Sequence, residues 1–213
     1  KSFDNIMIRL LKLLYWDLKH RPGRFGFLQA LLRDLPGEFG IALRSRLYRK
    51  RFAKAGDRLS IAQGVRFRNI QYMTVGENVS IGDCCFLQAA GGIELGDHVL
   101  LGPGVKIWSA NHRTEDLTRP IKGQGYEFKK VIIGSDVWIG ANAFIMPGAQ
   151  IGDHVIIAAG SVVGAKPVPP YRILAGNPAR VIGTREQLGT SESEHPSSTT
   201  QAAPEGTRDV END

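Results

Sequence analysis

The chain has 213 residues, 42% of them hydrophobic and 23% charged, enough for one ordinary domain that buries its own core without disulfide staples. Its apolar runs all fall short of the roughly 20 residues that cross a bilayer, which excludes a membrane-spanning helix. Glycine is in surplus at 25 residues and the net charge is +6, and neither is spread evenly.

Residues 1–58 carry fourteen Lys/Arg against five Asp/Glu. Ile6, Leu10, Leu13, Leu14 and Leu18 recur at helical spacing, and after the Arg21-Pro22-Gly23 break so do Phe27, Ala30, Leu31 and Leu32. Two basic amphipathic helices are therefore predicted in an N-terminal extension over 1–58. Such helices either attach to an anionic membrane surface through residues 1–30 or lay their apolar stripe on the main domain, and the second reading is the plainer. Arg9, Lys12 and Asp17 interrupt the first stripe and no small-residue cleavage site follows, which argues against a secretory leader. The basic charge has no zinc spacing, basic zipper or ribonucleoprotein motif beside it, so no nucleic-acid partner is expected.

Residues 59–185 repeat with a period of six. Aliphatic residues stand at Ile133, Ile139, Ile145, Ile151, Ile157 and Val163, and two residues before each comes a smaller one: Val131, Val137, Ala143, Ala149, Val155 and Ser161. The same spacing holds upstream at Val75, Ile81 and Leu87 and, after a two-residue insertion, at Leu95, Leu101 and Ile107. Six is neither a helix period nor a plain strand alternation; it fits a short strand followed by a sharp corner, where glycine lets the backbone turn. Three hexads then close a coil, and coils stack through parallel ladders. The aliphatic and small positions point inward. Cys85 falls in an inward slot, so it belongs to the core. The Gly-Asp pairs at 82–83, 96–97 and 152–153 fit exposed corners, as do His98 and His154 just after two of them.

Only Cys84 and Cys85 are present. Their adjacency argues against a disulfide framework and for a reducing cytoplasm, with attachment at the inner face of the membrane as the variant that the basic helices would bring. From residue 186 to 213 one Arg faces seven acids and large apolar residues nearly vanish, which predicts a disordered acidic tail.

The hexads stop between Ile107 and Val131, where Trp108-Ser109-Ala110-Asn111-His112-Arg113-Thr114-Glu115-Asp116 leads into a loop over 108–130. Beyond it, Val131-Ile132-Ile133-Gly134-Ser135-Asp136-Val137-Trp138-Ile139-Gly140-Ala141-Asn142, Met146-Pro147-Gly148, Gly160-Ser161-Val162-Val163 and Ala175-Gly176-Asn177-Pro178-Ala179-Arg180 follow. These stretches resemble the hexapeptide-repeat acyltransferases, most closely the maltose, galactoside and nodulation acetyltransferases and the polysaccharide O-acetyltransferases. The resemblance covers about residues 59–184. It implies a mainly β chain folded as a left-handed parallel β-helix, a homotrimer, and acetyl-CoA as cosubstrate without a metal.

The resemblance places His112 in the position of the family's catalytic histidine, as general base for a sugar hydroxyl. Asn111 stands beside it, and Asp116, Glu115 or a backbone carbonyl is a candidate to orient its ring. Trp138, Ala141 and Ala159 would line the coenzyme cleft, with Lys166 and Arg180 near its phosphates. Here Gly164-Ala165-Lys166-Pro167-Val168 departs from the family's Thr-Lys-Asp-Val pattern, which loosens the placement of Lys166. Counting the two-residue insertion, the hexad of Leu87 stacks beneath that of Ile107, bringing Gln88 near the loop where relatives carry an acceptor-contacting amide. The function implied is O-acetylation of a saccharide, glycolipid or polysaccharide precursor. Alternatives are N-acetylation of a nucleotide-linked amino sugar or a xenobiotic, and a non-catalytic β-helix that only binds partners.

Overall fold

The computed structural model describes residues 2–186; apart from Glu186, the tail expected over 186–213 lies outside them. Three helices precede a three-faced β-solenoid. The first face holds the strands at 54–55, 73–75, 93–95, 131–133 and 150–151, and the third those at 66–68, 86–88, 106–108, 144–145 and 162–163. The second face has six parallel strands, from 60–61 to Arg172–Gly176, and is closed by the antiparallel strand Ala179–Thr184.

The hexad residues are the core. Ile133, Ile139, Ile145, Ile151, Ile157 and Val163 are at most 3% exposed, and the six smaller residues preceding them are at most 1% exposed. Ladder partners are eighteen residues apart in the later coils, as in Ile133 with Ile151 and Ile139 with Ile157. The stacking leaves no room for a side chain at Gly140, where a Cβ would come within 2.5 Å of the Ala159 nitrogen. Cys85 is fully buried with its thiol donating to the Gly102 carbonyl at 3.2 Å, and burial pushes its pKa up to about 11. That is the inert core thiol expected of its slot.

Asn78, His98, Asp136, His154 and Tyr171 all adopt left-handed backbone, with φ between 54° and 62°, at the corner that joins the first face to the second. His98 and His154 are thus corner residues, and Asp83, Asp97 and Asp153 are exposed, as their spacing suggested.

Partners in the early coils are twenty residues apart: Ser60 with Ser80, Phe67 with Leu87, Val75 with Leu95. The two extra residues enter each time at the corner joining the third face to the first, once after Arg68 and once after Gln88. The hexad count finds only the second of these. In the next coil the same corner releases the whole segment between Trp108 and Val131. The solenoid also starts earlier than residue 59, since Lys54 and Ala55 already pair with Thr74 and Val75.

The N-terminal extension differs from expectation in two ways. The helices are Ser2–Lys19 (α1), Arg21–Leu32 (α2) and Gly37–Arg49 (α3). The Arg21-Pro22-Gly23 break opens α2, because a proline in the first helical turn forfeits no hydrogen bond. The third helix carries Phe39, Leu43 and Leu47 at helical spacing, the latter two packed on the core, yet its buried anchor is an arginine. Arg44 is fully buried and donates to the carbonyls of Leu32 at the end of α2, of Leu35 in the turn beyond it, and of Ile61 in the first coil. It caps one helix, staples a second and binds both to the solenoid. Phe25, Tyr48, Phe52 and Phe67 close the joint edge to face. The stripe of α1, by contrast, does not lie on the main domain. Leu10 and Trp16 remain 55% and 61% exposed, and Leu31 of α2 reaches 74%.

Candidate active site

The ejected segment is a short antiparallel hairpin, Ala110–His112 against Tyr126–Phe128, with His112 directly opposite Tyr126. Its neck is tied down by Ser109, which is fully buried. The Ser109 hydroxyl donates to the Gln88 carbonyl and accepts the Gly91 N–H, both at 2.9 Å, while the Lys129 N–H closes onto the Ser109 carbonyl. A Cβ at Gly91 would strike that same carbonyl. Two chain crossings and a serine therefore fix where the hairpin leaves the coil.

His112 is exposed at the hairpin's free side, its ring centroid 4.5 Å from that of Tyr126. Its backbone N–H donates to the Asn111 side-chain oxygen at 3.0 Å, so Asn111 braces the histidine locally. Gln88 lies in register with Trp108 one coil away. Its side-chain oxygen is buried without a hydrogen-bond partner among the described residues. A desolvated acceptor of this kind costs free energy until something donates to it.

Asp116 sits in the loop but turns into its own tight bend. Its carboxylate accepts the Thr118 hydroxyl at 2.6 Å, the Thr118 N–H at 2.9 Å and Arg119 Nε at 2.6 Å. Those bonds, led by the Thr118 hydroxyl, hold its pKa below the usual carboxylate range. Glu115 accepts the Thr114 N–H. Neither carboxylate is hydrogen-bonded to the His112 ring among the described residues. Gln124 completes the bend, accepting from the Asp116 N–H and donating to the Asp116 carbonyl.

The other predicted residues lie elsewhere on the prism. Trp138 projects outward from the second face and is 50% exposed. Ala141 and Ala159 stack at the corner between the second and third faces, where the Gly160 N–H donates to the Ala141 carbonyl. Lys166 is exposed beyond the last strand of the third face, and Arg180 is exposed on the closing strand. One chain therefore does not bring His112 together with Ala141 and Ala159: the width of the third face separates their corners. That face carries a column of rings, Phe86 to Trp108 at 6.0 Å and Trp108 to Phe144 at 5.7 Å. Among the described residues no group of His, Cys, Asp and Glu is arranged to hold a metal ion.

Sequence reasoning missed Ser109 and Tyr126. Ser109 had a signal, because it occupies the inward slot two residues after Ile107 that Ala89 fills one coil earlier. Tyr126 had none, since its partnership depends on where the loop turns.

Two family models match the chain: bacterial transferase hexapeptide (six repeats) over residues 130–165, and hexapeptide repeat of succinyl-transferase over 72–108. The galactoside O-acetyltransferase of Escherichia coli (strain K12) is 33% identical over 139 residues, which span 65% of this chain and 67% of that protein. The chain spans only 37% to 62% of the length of four further curated relatives. Among solved structures, a hexapeptide-repeat acetyltransferase from Vibrio cholerae, complexed with acetyl coenzyme A, superposes with a TM-score of 0.68 at 29% identity, covering 76% of this chain and 86% of that one. A maltose O-acetyltransferase from Clostridium difficile 630 gives 0.64 at 30% identity, covering 81% and 88%.

Proposed function

This chain belongs to the family of hexapeptide-repeat acetyltransferases, and from that premise we propose that it moves an acetyl group from acetyl-CoA to a hydroxyl of a saccharide, glycolipid or polysaccharide precursor. The observation that carries the reading is the hairpin at the interrupted corner. It holds His112 exposed outside the solenoid wall, and the third-face strand from which the chain departs is in register with Gln88, whose buried side-chain oxygen has no hydrogen-bond partner among the described residues.

His112 is the general base. An alcohol attacks a thioester only as its proton leaves, and a neutral imidazole is the side chain suited to take that proton near neutral pH. The imidazole takes the hydroxyl proton while the oxygen bonds to the acetyl carbon. The tetrahedral oxyanion then collapses, the carbon–sulfur bond breaks, and the proton passes to the departing thiolate. The products are the acetyl ester and CoA thiol, with no acyl-enzyme between. Gln88, half-buried near the hairpin's point of exit, is the amide for an acceptor hydroxyl, and Asn111 keeps the histidine's strand in place. With Asp116 engaged by Thr118 and Arg119, its part is to shape the loop.

Acetyl-CoA binds between copies. His112 and the Ala141–Ala159 corner stand apart in one chain, so a cleft using both takes its second wall, with Trp138, from a neighbour. Three copies close such an arrangement into a homotrimer with three equal sites. The exposed Leu117, Ile121 and Phe128 of the loop are apolar surface for that contact. Lys166 and Arg180, both exposed, are the cations for the coenzyme's phosphates. The free thiols of Cys84 and Cys85 fit a cytoplasmic setting.

Thiol release from acetyl-CoA over a panel of saccharides tests the reading, and alkali lability of the product separates an ester from an amide. Turnover with hydroxyl acceptors is expected; an alkali-stable product would move the acceptor class to amines. Sedimentation should give three times the chain mass, and a monomer that turns over at full rate would remove the shared cleft.

A further inference from the structure

The N-terminal helices carry a surface that acetyl transfer does not use. All of α1's large apolar side chains from Ile6 to Leu18 are at least 42% exposed, and the helix packs only on α2 among the elements it touches substantially. At 1.5 Å per residue its 18 residues make a rod about 27 Å long. No helix among the described residues is long and apolar enough to cross a membrane. Where α2 starts and α3 ends lies an open cavity of about 770 Å³ whose walls include Arg21 and Arg24 from α2 and Lys50 and Arg51 just past α3. None of these four cations has an acidic partner among the described residues. Arg9, Lys12 and Lys19 add three more on α1 itself, against Asp4 and Asp17.

We propose that this face docks the protein on an anionic phospholipid surface, with α1 lying in the interface and the Arg21, Arg24, Lys50 and Arg51 cavity taking lipid phosphates. Exposed leucines and a tryptophan of α1 supply the apolar insertion, and the cations of the same N-terminal helices supply the attraction to negative headgroups. Charge complementarity selects this occupant over a second copy of the chain. Two copies meeting on this face would drive two sets of unpaired cations together, and like charges across an interface oppose association. The proposal stands apart from the catalytic reading, because its readout is vesicle binding without acetyl transfer.

Flotation of the full chain with vesicles of phosphatidylcholine alone, and of phosphatidylcholine with phosphatidylglycerol, decides it. The chain should float with the anionic vesicles and much less with the neutral ones, and added salt should release it. Each cation near the surface is worth roughly 5-fold in partitioning, so Arg21→Gln with Arg24→Gln should weaken binding about 25-fold. Leu10→Asp with Leu14→Asp should abolish it, while circular dichroism shows that both variants remain folded. Trp16 emission should shift to the blue on binding, and Trp16→Phe should remove that shift. Equal partitioning on neutral and anionic vesicles, or a chain that stays with the bottom fraction on both, overturns the proposal. So does self-association that depends on Leu10 and Leu14 without any vesicle binding.

Discussion

The wall of the solenoid and the hairpin that leaves it are built on opposite principles. In the wall from Ile133 to Val163 every sixth residue is an aliphatic side chain at most 3% exposed, and each coil stacks on its neighbour through matched ladders. In the hairpin, side chains from Asn111 to Glu115 are all exposed, and the contacts are local: His112 on Tyr126, Asp116 on Thr118, Gln124 across the bend. The difference teaches where chemistry can sit in a repeat protein. A coil that must match its neighbours has little freedom to hold a proton-transfer group at solvent, whereas a corner already distended in the two preceding coils can release a loop without breaking a ladder. The wall supplies rigidity, and the interruption supplies the reactive side chain.

Substitutions on the two sides should therefore fail differently. His112→Ala should lose on the order of 10² to 10⁴ in turnover with an unchanged melting temperature, read by steady-state thiol release. In the wall, Ile139→Ala should cost about 2–5 kcal/mol of stability through its cavity, read by urea unfolding, with turnover near normal in the fraction that stays folded. Ser109→Ala lies at the junction. It leaves the Gly91 N–H without its partner and loosens the neck, at a cost of about 1–3 kcal/mol together with a fall in kcat, so it should sharpen the boundary between the two regions.

The smallest effect is one of pH. Asp136 accepts His154 Nδ1 at 2.9 Å and Arg185 Nη1 at 2.6 Å, and the histidine's hydrogen bond leads in holding its pKa down. A lowered carboxylate pKa stabilises the fold above the ordinary value near 3.8 and ceases to do so as pH falls through the folded value. The carboxylate is 44% exposed, so solvent screens much of the effect. Asp136→Asn should flatten the acid limb of the unfolding midpoint below about pH 4 and leave turnover untouched.

Much of this division was legible in the sequence. The period from Ile133 to Val163 placed the later coils without a slip, its break after Ile107 located the loop, and the family resemblance singled out His112 within it. The first coil was hidden because Phe67 stands where later coils carry an aliphatic residue and because Asn69 to Tyr72 adds two residues. Helix α3 was only partly legible: Phe39, Leu43 and Leu47 recur at helical spacing, but its buried positions are Gly40, Arg44 and Tyr48, with a charge where periodicity looks for an apolar residue. The direction of Asp116 could not be read from spacing either. It follows His112 by four positions in sequence, but Thr118 and Arg119 compete for its oxygens at closer range.

Two histidines set the central claim against its control. His112 rises on the hairpin and His154 closes an ordinary corner against Asp136 and Tyr171. The decisive measurement is CoA thiol release by His112→Ala and His154→Ala, each checked for its melting temperature, on the acceptor that the wild-type chain turns over best. The account predicts at least a hundredfold loss for the first, about the lower limit for removal of a general base, and near-wild-type turnover for the second. Full turnover by His112→Ala, or an equal loss in both, would contradict it.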